Sequence, residues 1–377
     1  TVPRQLDEIN TPYIALKDLL LNMKTFKLED FKRDKVAIHR IDCDSDDLKM
    51  PIPKFKNFLS TTLVDDEGRA NEELINLVQE MFGFYLINGI PKPSVFFLVG
   101  QGANGKSVML NVLEKMIGAD FRSAMSIQTL TTSNYATAGL IGMKINICSE
   151  EESKYLRSDK FKALASGEAT TAERKYENQF TFKPQTKYIF ATNMMPTFDG
   201  VNYGIRRRMM IIPFKRIFKP VEQNHQLTEE LLAEVPGIIS WAVEGAERLQ
   251  QNNFTFSKSE LAGASAEEFE NQTSSSLMFF RENYVPDDKS FIDFQDLYDR
   301  YKEWCTQIGK RSLSMTGFNR DLRDNLGVKQ SVQYSSGKNK SVRGHHAKLR
   351  PVQEGVDMTF ESITAEFSKE PTQGKIL

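Results

Sequence analysis

Apolar and polar positions alternate in blocks that change period along the chain. From Asn71 the residues Leu74, Leu77, Val78, Met81, Phe82 and Tyr85 follow an i, i+3, i+4, i+7 rhythm, which predicts an amphipathic helix. Pro91-Lys92-Pro93 ends it, and the unbroken run Val95-Phe96-Phe97-Leu98-Val99 predicts a buried strand. Helical spacing returns at Val108, Leu110, Val112, Leu113, Met116 and Ile117 and stops at Gly118. Three more apolar runs read as strands, Lys144 to Ser149, Lys187 to Ala191 and Met209 to Phe214, with short helices about Tyr135 to Leu140 and Ser158 to Ser166. Strands alternating with helices make residues 71–255 an α/β domain on a mainly parallel sheet.

The flanks read differently. In residues 1–70, Ile14, Leu16, Leu19, Leu20 and Met23 recur near helical spacing, a short strand falls at Val36 to Ile41, and Phe55, Phe58 and Leu59 resume packing after Pro51 and Pro53. This segment is expected to be mainly helical. Its acidic cluster Asp42, Asp44, Asp46 and Asp47 reads as a solvated loop in preference to a cation site. Leu227 to Gln250 reads as helices on either side of Pro236-Gly237, and the polar stretch Phe256 to Ser276 as a domain boundary. Residues 275–350 then show three apolar stripes and a hairpin pattern from Gln330 to Lys348, a small winged-helix-type domain. Residues 351–377 lack periodicity and are expected to be a flexible tail.

Between the first strand and its helix lies Gly100-Gln101-Gly102-Ala103-Asn104-Gly105-Lys106-Ser107, a complete G-x-x-x-x-G-K-[ST] pattern. Glycines let backbone N–H groups converge on phosphates, the next helix presents its positive end, Lys106 adds a cation and Ser107 a hydroxyl for Mg²⁺. Val108 closes the ATP-binding stretch. The strand Lys144 to Ser149 runs into Glu150-Glu151-Glu152, carboxylates suited to holding Mg²⁺ and polarising water; Glu150 and Glu151 are the candidates. The strand Lys187 to Ala191 ends at Asn193, an amide able to sense a γ-phosphate. Arg206-Arg207-Arg208 stands before the strand Met209 to Phe214, cations for a phosphate or a surface cluster. Ala169 to Lys183 reads as a β-hairpin whose tip carries Arg174, Lys175 and Tyr176, cations beside a ring, as in grips on single-stranded nucleic acid; a plain exposed hairpin has the same pattern.

Composition narrows the classes. With 377 residues, 40% of them hydrophobic, and a formal net charge of −1, the chain is an ordinary globular protein long enough for two or three domains. The charge is unevenly placed: from Ile308 to Arg350 there are ten Lys/Arg against two Asp, and Lys338, Lys340 and Arg343 fall on the hairpin of the small domain, a candidate DNA-contacting wing. Cys43, Cys148 and Cys305 are far apart and odd in number, which fits a reducing, cytoplasmic setting and no zinc site. No stretch reads as a membrane span. The chain opens on Thr1 without a signal peptide, as expected of a fragment or a processed product.

Taken in order, Ser149-Glu150, Lys162-Ala163-Leu164, Thr171-Ala172-Glu173-Arg174-Lys175-Tyr176, Phe182-Lys183-Pro184, Ala191-Thr192-Asn193, Arg207-Arg208 and Ile212-Pro213-Phe214 resemble the superfamily 3 helicase module of phage and plasmid primase-helicases. The resemblance covers about Pro51 to Gln251. It implies an AAA+-like P-loop ATPase working as a homo-oligomeric ring, a hexamer, on single-stranded and forked duplex DNA, downstream of a primase or polymerase domain. By position it implies ATP and Mg²⁺ at Gly102, Asn104, Gly105, Lys106 and Ser107, metal and water carboxylates at Glu150 and Glu151, a γ-phosphate sensor at Asn193, a finger for the adjacent subunit at Arg207 or Arg208, and DNA contact at Arg174, Lys175 and Tyr176. Arg206 stands where the family often has an aromatic residue, so the finger is one of three. A small-molecule P-loop kinase and a non-unwinding origin-binding or loader ATPase are the competing readings.

Overall fold

The computed structural model describes residues 11–151, 155–156, 158–193, 195, 197–198, 203–308, 312–335 and 340–349. The chain divides into two units, Thr1–Ser274 and Ser275–Leu377.

The first unit opens on a four-stranded sheet, β1 (Tyr13–Ala15), β2 (Leu20–Asn22), β3 (Lys27–Glu29) and β4 (Ala37–Arg40), in the order β3-β2-β1-β4. This corrects the expected helix over residues 14–23. Ile14 and Leu16 alternate at period 2, Leu16 N–H bonds back to Leu19 O across a turn, and β1 pairs antiparallel with β2, so the apolar residues meet across a hairpin. The acidic cluster is a surface loop occupied by its own contacts. Asp47 accepts from Asp44 N–H at 3.1 Å, and Lys17 and Lys49 approach Asp42 and Asp46 at 3.6 and 2.7 Å.

Helices α1 (Pro53–Thr62) and α2 (Glu72–Leu86) lead into β5 (Val95–Val99), and α3 (Lys106–Ile117) follows the glycine loop. Next come β6 (Arg122–Ser123), α4 (Ile127–Thr132), α5 (Asn134–Ala138), β7 (Ile145–Cys148), β8 (Tyr155–Leu156), α6 (Ser158–Ala165), β9 (Thr170–Ala172), β10 (Phe180–Phe182), β11 (Lys187–Thr192), β12 (Thr197–Phe198), α7 (Tyr203–Arg206) and β13 (Met209–Pro213). Helices α8 (Leu227–Ala233), α9 (Val235–Gln251) and α10 (Glu260–Thr273) complete the unit. The central sheet has the order β13-β5-β11-β7-β6 with every neighbour parallel.

Period-2 alternation splits the sheet's side chains between two cores. Phe96, Leu98, Ile189, Ala191, Ile145 and Ile147 join α1, α2, α3 and α9 on one face. Val95, Phe97, Tyr188, Phe190 and Ile211 join Ile127, Leu130, Phe161 and Phe269 on the other. Helices α2 and α9 lie backbone to backbone: a Cβ on Gly83 would sit 2.3 Å from Ala246 N, and one on Gly245 2.2 Å from Gln79 O. Glu80, fully buried in α2, accepts from Arg248 Nε at 2.8 Å and from Ser257 N–H at 2.7 Å, locking α9 and the following turn to α2. The division between the units falls inside the stretch expected as a boundary, but most of that stretch is α10, whose Leu261, Ala262 and Phe269 are buried in this unit.

In the second unit, α11 (Ser275–Asn283), β14 (Tyr284–Pro286), β15 (Ile292–Asp293), α12 (Phe294–Gln307), α13 (Met315–Leu326), β16 (Gln330–Ser335), β17 (Lys340–His345) and β18 (Ala347–Leu349) enclose a core of Phe279, Phe280, Tyr301 and Phe318. Strands β15, β17 and β16 form one small antiparallel sheet. His345 is fully buried, with Nε2 2.6 Å from Asn319 Oδ1, and burial pushes its pKa down to about 4.

Candidate phosphate-loop site

Strand β5 is an inner strand, so the loop leaves the sheet among neighbours on both sides. Gly105 adopts φ +88° at the start of α3, a conformation that only glycine takes without strain, and a Cβ there would lie 3.0 Å from the Phe58 ring. Gly100 is needed for space: its Cβ would fall 2.3 Å from Phe214 O. Ala103 also has positive φ, 57°, and its carbonyl accepts from Phe218 N–H at 2.8 Å, so the segment after β13 braces the loop. Gln101, Gly102 and Ala103 are exposed, leaving this stretch of backbone accessible to a ligand. Gly102 would carry a Cβ into open space. Ser107 is exposed at the first turn of α3, and Val108 beside it is half-buried.

The Lys106 side chain folds back into the loop. Its Nζ donates to Gly100 O, to Asn104 Oδ1 at 3.2 Å and to Asn193 Oδ1 at 3.4 Å, and burial lowers its pKa. Asn104 is buried with its Nδ2 lacking a hydrogen-bond partner, a donor left over beside the ammonium. A polar amide buried without a partner is destabilising by about 1–3 kcal/mol, so this site has an unfilled acceptor position. An anionic oxygen fits it, as do the accessible loop backbone and the helix end.

Strand β11 runs between β5 and β7, and Asn193 follows its last residue; this is why an amide 87 residues away in sequence touches Lys106. Strand β7 lies two strand spacings from β5, about 10 Å at ~4.8 Å each. The two predicted carboxylates then part company. Glu150 is exposed past the end of β7. Glu151 is buried, its N–H bonds Ala191 O at 2.8 Å, and its Oε2 accepts from Ile127 N–H at 2.6 Å at the start of α4. One oxygen of its carboxylate is thus engaged at the start of α4. Glu152 lies outside the described residues.

The arginines also separate. Arg208 is buried, and its guanidinium donates from Nε and Nη2 to Ser166 Oγ at 3.0 and 2.8 Å and from Nη1 to Gly204 O at 2.5 Å. These hydrogen bonds all stay within the chain, to Ser166 and Gly204. Arg206 is half-buried and Arg207 exposed. Because Met209 pairs with Val95 and Pro213 with Val99, these arginines stand at the end of the sheet opposite Gly100. The offset is roughly 16 Å at ~3.3 Å per residue, farther than one arginine side chain reaches.

The predicted hairpin forms, with Ala172 opposite Phe180 and Thr170 opposite Phe182. Tyr176 is 93% exposed at its tip, with φ 65°; Lys175 Nζ lies 5.1 Å from the Tyr176 ring and Arg174 5.6 Å from the Phe180 ring. In the second unit Lys340 opens β17, Arg343 is exposed opposite Val332, and Lys338 lies outside the described residues. Two participants escaped sequence reasoning. Ser166 and the Phe218 backbone act through partners 42 and 115 residues away, and neither carries a local signal.

The site therefore belongs to a mixed α/β domain built on a parallel sheet, with a glycine loop leaving an inner strand and opening a helix. Residues 98–208, from the end of β5 to Arg208, match a family described as a family of unknown function, DUF5906, and residues 272–361 match one described as Poxvirus D5 protein-like. The chain is 32% identical over 146 residues to Putative helicase L207/L206 of Acanthamoeba polyphaga mimivirus, covering 36% of this chain and 15% of that protein. It is 27% identical over 172 residues to Primase D5 of Fowlpox virus (strain NVSL), covering 42% of this chain and 22% of that protein. The chain thus spans less than a quarter of the length of these relatives. A solved apo structure of the NrS-1 C-terminal region is similar at 15% identity and a TM-score of 0.48, over 82% of this chain and 80% of that one. The matches to helicase- and primase-named proteins bear out the resemblance to the superfamily 3 helicase module. Among the described residues no helix is long and apolar enough to cross a membrane.

Proposed function

We propose that this chain is the motor module of an ATP-driven DNA helicase that assembles as a ring, a hexamer, and acts in replication of a virus, phage, plasmid or other mobile element, joined to an upstream primase or polymerase domain. The observation that carries the reading is the meeting of Lys106 and Asn193 at 3.4 Å, with Glu150 exposed one strand beyond Asn193. A γ-phosphate bound at Lys106 lies within reach of Asn193, and Glu150 stands where a water or a metal-bound water can be polarised. Mg²⁺, when bound, would neutralise phosphate charge during transfer. Ser107 and Glu150 would hold it, while the loop backbone from Gly100 to Gly105 and the first turn of α3 orient the nucleotide.

Arg207 supports the ring. It cannot serve the loop of its own chain across the sheet, so it acts on the nucleotide of an adjacent subunit, where such an arginine raises turnover roughly 10³- to 10⁵-fold. The AAA+-like assignment rests on this division of the site together with the parallel sheet. Tyr176, whose exposed ring contributes little to folding, stacks on bases of single-stranded DNA while Arg174 and Lys175 meet phosphates. The second unit is a winged-helix-type module whose β16–β17 hairpin, with Lys338, Lys340 and Arg343, binds the duplex of a fork. The setting is the cytoplasm of the host.

The test is ATP hydrolysis with and without single-stranded DNA, followed by strand displacement on a forked substrate. DNA-stimulated hydrolysis with displacement is expected; stimulation without displacement leaves a loader, and phosphate transfer to a metabolite without stimulation leaves a kinase. A Lys106→Ala chain that hydrolyses ATP at the normal rate removes the site assignment altogether.

A further inference from the structure

Arg208 is 7% exposed, and burial lowers its pKa, with Arg207 adding repulsion and Glu168 partly offsetting it. Among the described residues no carboxylate lies within ion-pair distance of it; its acceptors are a serine hydroxyl and a backbone carbonyl. A buried guanidinium held this way is a poor stabiliser compared with an apolar side chain of similar size. What the arrangement provides is geometry. Two of the donors converge on Ser166 Oγ, one residue past α6, and the third returns to Gly204 in α7, so a planar fork clamps the 203–208 turn to the end of α6.

The chain beyond Ser166 has little freedom before it reaches the hairpin. Ser166 N–H bonds Lys162 O at 3.1 Å, Gly167 N–H bonds Leu164 O at 3.1 Å and Glu168 N–H bonds Ala163 O at 3.0 Å, and β9 starts at Thr170. Gly167 has φ +63°, and a Cβ there would lie 3.0 Å from Pro184 O, beyond the far strand of the same hairpin. The root of the hairpin and the turn carrying Arg207 are thus joined by the Arg208 fork, alongside Ile205, which is buried in the same core as Phe161 and Leu164 of α6.

We propose that Arg208 is a positioning residue that couples the arginine acting on the neighbouring subunit's nucleotide to the DNA-contacting hairpin of its own subunit. The proposal rests on the helicase reading above. When Arg207 shifts as that nucleotide is hydrolysed, the rigid fork carries the displacement to Ser166 and hence to β9 and the tip at Lys175 and Tyr176. Arg208 touches neither nucleotide nor DNA in this scheme; it transmits between residues that do.

The experiment uses the full chain with Ser166→Ala, which removes the shared acceptor while leaving Arg208 and Arg207 in place, and Ser166→Thr, which restores a hydroxyl. Three quantities are read for each variant: ATP turnover without DNA, the fold-stimulation by single-stranded DNA, and strand displacement. Ser166→Ala is expected to keep unstimulated turnover and single-stranded DNA affinity within about twofold of the unmodified chain while losing at least tenfold in both stimulation and displacement; Ser166→Thr recovers most of both. The proposal is overturned if Ser166→Ala retains full stimulation, or if stimulated and unstimulated turnover fall together with the unfolding temperature, which marks the contact as structural only. The unmodified chain separates the two readings: absence of any DNA stimulation there refutes the helicase assignment itself and the coupling with it, whereas stimulation there with an unaffected Ser166→Ala variant refutes the coupling alone.

Discussion

Adjacent glutamates at the end of β7 offer a sharp test, because the fold gives them opposite surroundings. In Glu151→Gln the amide oxygen still accepts from Ile127 N–H, at 2.6 Å in the parent, but the bond is no longer charge-assisted. A hydrogen bond to a charged group contributes about 1.5–3 kcal/mol against about 0.5–1.5 for a neutral one. Losing a negative charge at the start of α4 removes roughly 0.3–1 kcal/mol more. Burying an amide is easier than burying a carboxylate, which returns part of the difference. The net loss is about 1 kcal/mol, a fall of roughly 2–4 °C in unfolding temperature for a domain of this size. ATP hydrolysis should stay within about threefold of the parent, since Oε2 is already engaged by Ile127 N–H. Glu150→Gln is the mirror case: exposed, it should change stability by less than about 0.5 kcal/mol, yet lower hydrolysis by about 10²-fold or more as a general-base or metal position does. Thermal unfolding and single-turnover hydrolysis on both variants decide it. A Glu151→Gln chain of parental stability that no longer hydrolyses ATP would refute the separation of roles.

Arg207→Ala should bind ATP normally and hydrolyse it at least 10³-fold more slowly; mixing it with Lys106→Ala chains should restore part of the activity, since each supplies what the other lacks at a shared interface, and no restoration in mixed assemblies counts against action in trans. Gly83→Ala places a methyl 2.3 Å from Ala246 N between α2 and α9, and urea unfolding should show a loss of about 1–3 kcal/mol. His345 has a pKa lowered by burial from 6.5 to about 4. The unfolded chain therefore takes up its proton first, so this stabilisation is complete above pH 6.5 and is lost progressively as pH falls toward 4, about 3 kcal/mol in all. Trp304 fluorescence during urea unfolding at several pH values, in a Trp241→Phe background, should show that slope, and His345→Gln should flatten it.

Local patterns made much of this protein legible. The glycine loop is written in contiguous residues: an apolar strand, left-handed positions at Ala103 and Gly105, and a helix that starts at Lys106. The strands that lead to Glu150 and Asn193 and the hairpin carrying Tyr176 are likewise short-range, since apolar runs and turn residues specify them without reference to the rest of the chain. The same short-range logic fails at Ile14 to Met23, where five apolar residues fit a helix about as well as two strands, and the choice falls to β4, which pairs with β1 from 24 residues away.

Tertiary structure alone decided the roles of side chains whose partners are remote. Nothing in Glu150-Glu151 shows which carboxylate is buried and which exposed; that depends on Ile127, 24 residues earlier, offering a helix N–H to one of them. Nothing in Arg206-Arg207-Arg208 shows that the last is buried against Ser166, or that the parallel register of β13 and β5 sets all three at the far end of the sheet from Gly100. Sequence determined which chemical groups this protein carries and the local elements that bear them. Their direction was decided by strand order and burial, because a side chain's partners are set by what the whole fold brings within hydrogen-bond distance.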